Sequence, residues 1–196
     1  MNFYMLLSMK LFMYLYPITM YVDWEIKNNA WSYHYERNID SREKGIAEYN
    51  IKIKSINNFI NDYRKKGFEI AYVGFSKPNG ELNKSLFSKF FNFLGTDSFI
   101  NSKVTFRNHC KNEVYPDEKS IIKELMPLEE LIVSGFHYTD CVEKFSNAAK
   151  ELGIPSKIDA ALTNNFFYLI KKSDDVYKEL EILQIEADKF KKRYGF

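Results

Sequence analysis

Apolar runs of strand length alternate with segments of helical periodicity along this chain, and that alternation constrains the fold more than any other feature. Ile46, Tyr49, Ile53, Ile56, Ile60 and Tyr63 recur at three- and four-residue steps, so Gly45 to Lys66 reads as an amphipathic helix. Gly67 supplies its C-terminal stop, and Phe68 to Phe75 follows as a strand. Pro78-Asn79-Gly80 is a turn, and Leu86, Phe87, Phe90, Phe91 and Leu94 mark a short aromatic helix. Val104 to Phe106 reads as a weaker strand, Asp117 to Met126 as a helix, and Glu130 to Phe136 as a strand of Leu, Ile and Val. Cys141 to Leu152 is a helix with Val142, Phe145, Ala149 and Leu152 on one face, ended by Gly153 and Pro155. Lys157 to Leu162 is the next strand, and Asp174 to Arg193 a charged amphipathic helix. Strand and helix in alternation predict a three-layer α/β/α, Rossmann-like fold with a mostly parallel sheet.

The start of the chain is the ambiguous part. Pro17-Ile-Thr-Met-Tyr-Val22 is a continuous apolar run ending at Asp23, as expected of a strand buried on both faces. The opening strand is therefore expected over Tyr14 to Val22, with residues 1–13 as an apolar leader. A spanning helix is disfavoured, because Lys10 sits inside the apolar stretch and Pro17 would break it. A secretory signal is disfavoured as well, for want of a basic n-region and a small-residue cleavage site. The expectation is one domain over residues 1–196, with 174–196 as a C-terminal helix.

Composition narrows the function classes. Seventeen Phe and 14 Tyr in 196 residues exclude a disordered chain. With 28 basic and 26 acidic side chains, no excess charge is left to neutralise a run of phosphates, so nucleic acid is not an expected partner. Cys110 and Cys141 cannot make a disulfide framework, and point instead to a reducing, cytoplasmic setting.

The chemically informative stretch runs from Leu131 to Val142, a buried strand passing through a tight turn into a helix. Thr139 or Asp140 is the natural N-cap, which puts Cys141 in the first helical turn. Unpaired backbone N–H groups there favour a thiolate and could hold an oxyanion. A small buried cysteine packed behind the strand is the plain alternative.

Gly135-Phe-His-Tyr-Thr-Asp-Cys-Val142, with Phe145, Ala148-Ala149 and Leu152-Gly153 after it, resembles the nucleophile segment of the isochorismatase-like cysteine hydrolases. The Gly-to-Cys spacing is that of the family's Gly-x-Ala-Thr-Asp-x-Cys-Val turn, although Thr139-Asp140 sits one place later. The likeness continues through Asp159-Ala-Ala-Leu-Thr163 and thins towards the N-terminus, where Ile18 to Glu25 resembles a first strand ending in Asp-x-Gln, with Glu25 in place of Gln. This resemblance implies an Asp, Lys and Cys triad. Asp23 would be the acid, Cys141 the nucleophile, and the backbone N–H groups of His137 and Cys141 the oxyanion hole, with a cis peptide before His137. The lysine position falls on Arg107 by spacing, or on Lys103 with a short insertion; an Arg stabilises a thiolate but cannot share a proton at neutral pH.

Trp24, Trp31 and Tyr138 are candidate walls of a substrate pocket. His34, His109 and His137 show no ligand-like spacing, so neither a metal nor another cofactor is expected. The reading is a cysteine-dependent hydrolase of a small-molecule amide or carbamoyl substrate, working through a thioester in a homo-oligomer. Its competitor is a family member that kept the fold as a binding or scaffolding protein and lost the lysine.

Overall fold

The computed structural model describes residues 8–19, 56–112, 114–160 and 162–163. Five parallel strands form one sheet in the order β3-β2-β1-β4-β5. They are β1 (Met9–Leu15), β2 (Phe68–Ser76), β3 (Ser98–Thr105), β4 (Leu128–Gly135) and β5 (Ser156–Ile158). The helices are α1 (56–65 in its described part), α2 (Phe106–Asn112), α3 (Glu118–Glu124) and α4 (Glu143–Glu151).

Consecutive residues Leu11 to Leu15 of β1, Ile70 to Ser76 of β2 and Leu131 to Gly135 of β4 are all buried. Since successive side chains point to opposite faces, both faces of the sheet are covered, which is the condition of a parallel sheet between two helical layers. Tyr63 of α1 stacks on Phe12 at 4.3 Å between ring centroids. α4 packs on β4 and β5 through Phe145, Ala148 and Ala149. Asp117 caps α3, its carboxylate accepting from the Ser120 N–H at 3.0 Å. The α/β architecture expected from the alternation is the one observed.

The opening strand is not where the apolar run placed it. It is Met9–Leu15, so residues 9–13 are no leader but the centre of the sheet, paired with β2 on one side and β4 on the other. Two local facts explain the shift. Pro17 has no N–H for the ladder, and Tyr16 turns to φ 54°, after which the Ile18 N–H bonds back to the Tyr16 carbonyl in a three-residue turn. Lys10 is tolerated because it stands at the start of the strand, where it reaches exposed Glu129 at 3.6 Å.

Other boundaries move as well. β3 starts at Ser98, and Phe106, expected to end it, opens α2. The aromatic helix expected around Leu86 to Leu94 is only a 3₁₀ turn at Lys84–Leu86. Its aromatic residues are spent on ring packing instead: Phe87, Phe91 and Phe93 gather around Tyr72 and Phe99. β5 is shorter than the predicted Lys157 to Leu162 and stops at Ile158. The expected helix over 174–196 lies outside the described residues. Among the described residues, no helix is long and apolar enough to cross a membrane.

Candidate active site at the β1–β4 switch

From β1 the sheet grows through β2 and β3 on one side and through β4 and β5 on the other. The carboxyl ends of β1 and β4 therefore flank the point where strand order reverses, the place in an open parallel sheet where a crevice forms. Two chain segments meet there, Tyr16 after β1 and the turn 135–142 after β4.

Gly135 is required for this meeting. Its φ is +111°, and a Cβ added to it would run into the backbone N and carbonyl O of Leu15, its partner in the β1–β4 register. The Phe136–His137 peptide is cis, as the family resemblance led us to expect. The His137 carbonyl then accepts the N–H groups of Asp140 and Val142, each at 3.2 Å, and residues Tyr138–Val142 form a π-helical turn leading into α4. Helical structure thus begins earlier than expected. His137, rather than Thr139 or Asp140, stands at its start, and no side chain caps it.

Cys141 lies inside this turn with 1% of its surface exposed. Described groups from several elements act on its sulfur. Tyr16, just past the end of β1, interacts with it. His109 Nε2, from α2, is 3.8 Å from Sγ. Asp140 adds its negative charge from the adjacent position. Burial pushes the thiol well above its ordinary range, and the charge of Asp140 adds to that, against a smaller opposing pull from Lys144. These surroundings favour the neutral thiol, against the thiolate that a helix start favours.

His109 is held with unusual definition. Its Nδ1 lies 2.7 Å from the Val114 carbonyl oxygen, which can only accept, so Nδ1 carries the proton and Nε2 presents a lone pair to Cys141. Burial lowers its pKa, which keeps the imidazole neutral. The rings of Tyr16, Phe75 and Tyr115 surround it, with centroids 5.3 to 5.6 Å away. Tyr16 in turn stacks on Phe75 at 4.3 Å. On the outer side Asp140 pairs with Lys144 at 3.1 Å, an i,i+4 contact, and Lys144 also lies over the Tyr115 ring. Glu118, at the start of α3, contributes a further negative charge felt by Cys141.

No family model and no curated protein matches the sequence. Solved structures do. Pyrazinamidase of Pyrococcus horikoshii, solved in complex with zinc, aligns over 91% of this chain and 96% of its own with a TM-score of 0.50 at 11% identity. The fold is isochorismatase-like. An isochorismatase family protein aligns over 79% of this chain and 80% of its own (TM-score 0.48, 15% identity). An isochorismatase from Pseudomonas putida KT2440 aligns over 80% and 71% (TM-score 0.44, 17% identity). At these identities the likeness is one of fold.

On this isochorismatase-like frame the predicted site residues are only partly brought together. Cys141 and His137 share the turn after β4. Asp23, Trp24 and Trp31 lie outside the described residues, as does the side chain of Tyr138. The expectation that Asp23 closes the opening strand is overturned, because β1 ends at Leu15 and the residue that follows it onto the sulfur is Tyr16. Lys103 is not brought to the thiol: its ammonium is 2.6 Å from Glu124 on an exposed surface. Arg107 is exposed on α2. Among the described residues, a cation whose charge reaches the thiol is Lys144, from the helix that follows the Cys141 turn.

Reading the sequence missed Tyr16, His109 and Lys144. The i,i+4 spacing of Asp140 and Lys144 was a usable signal. Tyr16 could have been found by asking where Pro17 lets a strand end. Nothing in the spacing ties His109 to Cys141, since they stand on separate elements.

Proposed function

We propose that this chain is a cysteine-dependent hydrolase of small-molecule amide or carbamoyl substrates, with Cys141 as nucleophile and His109 as its base. One observation carries the reading. His109 Nε2, its lone pair fixed by the Nδ1–H bond to the Val114 carbonyl, stands 3.8 Å from the sulfur. A nucleophile in reach of a base that a third group orients is the arrangement that activates a weak nucleophile.

The steps follow from those atoms. The sulfur attacks the substrate's carbonyl carbon while its proton passes to His109 Nε2. The imidazolium is stabilised by the Val114 carbonyl and the negative field of Asp140. Backbone N–H groups of the 137–141 turn stabilise the oxyanion, and the imidazolium returns its proton to the departing nitrogen as the C–N bond breaks. Water, deprotonated by the same nitrogen, then cleaves the thioester. A high-pKa thiol suits this route, since proton transfer to a neutral base accompanies attack and no standing thiolate is needed.

The test is a panel of small amides and carbamoyl compounds, quenched in acid and read by intact-mass spectrometry. An acyl adduct on Cys141 is expected, abolished in Cys141→Ser, with turnover lowered about 10²- to 10⁴-fold in His109→Gln. Hydrolysis that survives Cys141→Ser refutes the reading.

A second reading, a binding protein on a hydrolase frame, is favoured by the burial of the sulfur. It predicts no turnover anywhere in the panel, and alkylation of Cys141 by iodoacetamide only after unfolding.

A further inference from the structure

We infer that His109, Asp140 and Cys141 form a binding site for one thiophilic divalent cation, Zn²⁺ by its ligand chemistry. Each residue offers one ligand atom, and the three atoms lie within 4.8 Å of one another. The inference stands apart from the hydrolase reading, because a cation could be held here whether or not any substrate is cleaved.

The geometry is close to that of a metal site. Zinc takes Cys sulfur at about 2.3 Å and His nitrogen at about 2.0–2.1 Å, so tetrahedral bonding separates S from N by roughly 3.6 Å. Here Sγ and Nε2 are 3.8 Å apart. The tautomer is the one a metal requires: Nδ1 is committed to the Val114 carbonyl, the outer-shell partner that ligating histidines usually have, and Nε2 carries the lone pair. The Asp140 carboxylate has an oxygen within 4.8 Å of both other ligand atoms. Lys144 holds its Oδ1 at 3.1 Å, which leaves the other carboxylate oxygen for the cation.

Charge also balances. The cation displaces the thiol proton to solvent, and thiolate plus carboxylate then neutralise a divalent ion. Glu118 adds a second reason for a positive charge here: its Oε1 is buried and has no hydrogen-bond donor among the described residues. One S, one N and one O ligand select Zn²⁺ or a similarly soft ion over Mg²⁺ or Ca²⁺, which demand oxygen. Three protein ligands leave a fourth position open, and partly exposed Asp140 is the side from which an ion would arrive. A cation on the sulfur removes the nucleophile, so occupancy and acylation exclude each other.

Equilibrium dialysis of the full chain with Zn²⁺, and spectroscopy with Co²⁺ in its place, test this. The expected result is one Zn²⁺ per chain, and for Co²⁺ a near-ultraviolet thiolate charge-transfer band with intense tetrahedral visible bands. Cys141→Ser should abolish the charge-transfer band. Asp140→Asn, at a partly exposed position that spares the core, should weaken Zn²⁺ by roughly 100-fold or more, beyond what loss of an outer-shell partner costs. Cys110→Ser should change neither. The inference is overturned if the band disappears in Cys110→Ser instead, if Asp140→Asn binds Zn²⁺ as tightly as the parent, or if Co²⁺ binds with no thiolate band. These readouts need no substrate, so they succeed or fail separately from the acyl-trapping experiment.

Discussion

Removal of residues 1–13 should unfold this protein. If those residues were an apolar leader, their loss would leave a stable core; in the structure they include Met9 to Met13 of the central strand. Leu11, Phe12 and Met13 are at most 2% exposed, and each such side chain contributes about 1.5–3 kcal/mol by leaving water, roughly 5–9 kcal/mol together. Whole domains are stable by only about 5–15 kcal/mol. The deletion also strips hydrogen-bond partners from β2 and β4 at once, because β1 lies between them. A single substitution gives the graded version. Phe12→Ala should cost about 3–5 kcal/mol, since the ring is fully buried and stacked on Tyr63. At about 2–4 °C per kcal/mol for a chain of this size, the midpoint falls by roughly 6–20 °C. Circular dichroism melts of the full chain, Phe12→Ala and the 14–196 fragment provide the measurement. A fragment that melts cooperatively near the parent's midpoint, or a Phe12→Ala cost below about 1 kcal/mol, would refute the placement of β1.

Three further outcomes are expected. Gly135→Ala should lose about 3 kcal/mol or more in urea unfolding, because its Cβ meets the Leu15 backbone, which cannot rotate away, at a φ that L-residues rarely adopt. Asp97→Ala should cost about 3–5 kcal/mol, since Arg64, bonded to both carboxylate oxygens at 2.8 and 2.6 Å, would keep a largely buried charge without its partner; replacing both residues by apolar ones should recover part of that loss. Asp117→Ala should destabilise at neutral pH only. The Ser120 N–H and hydroxyl hold the Asp117 carboxyl below its usual range, so its contribution is present above the unfolded pKa and disappears as pH falls through the lower folded value. A difference from the parent that persists in strong acid would count against the cap.

The sequence alone determined the α/β architecture and the strand-to-helix passage that carries Cys141. Periodicity is local, so Ile56, Ile60 and Tyr63 on one helix face, Gly67 as its stop and the β4-to-α4 passage around Cys141 could be read without coordinates. What surrounds the sulfur could not. An apolar run is buried in either register, and only pairing with β2 and β4 decides that the strand is 9–15, which brings Tyr16 to the thiol and leaves Asp23 well past the strand's end. His109 and Cys141 are far apart along the chain and meet because the strands run parallel, which puts the carboxyl ends of β3 and β4 at the same end of the sheet. Burial then acts on the thiol: a helix start favours a thiolate, but withdrawal from water, with Asp140 alongside, raises the thiol's pKa. Desolvation is a property of the assembled fold, which no spacing of residues along a chain expresses.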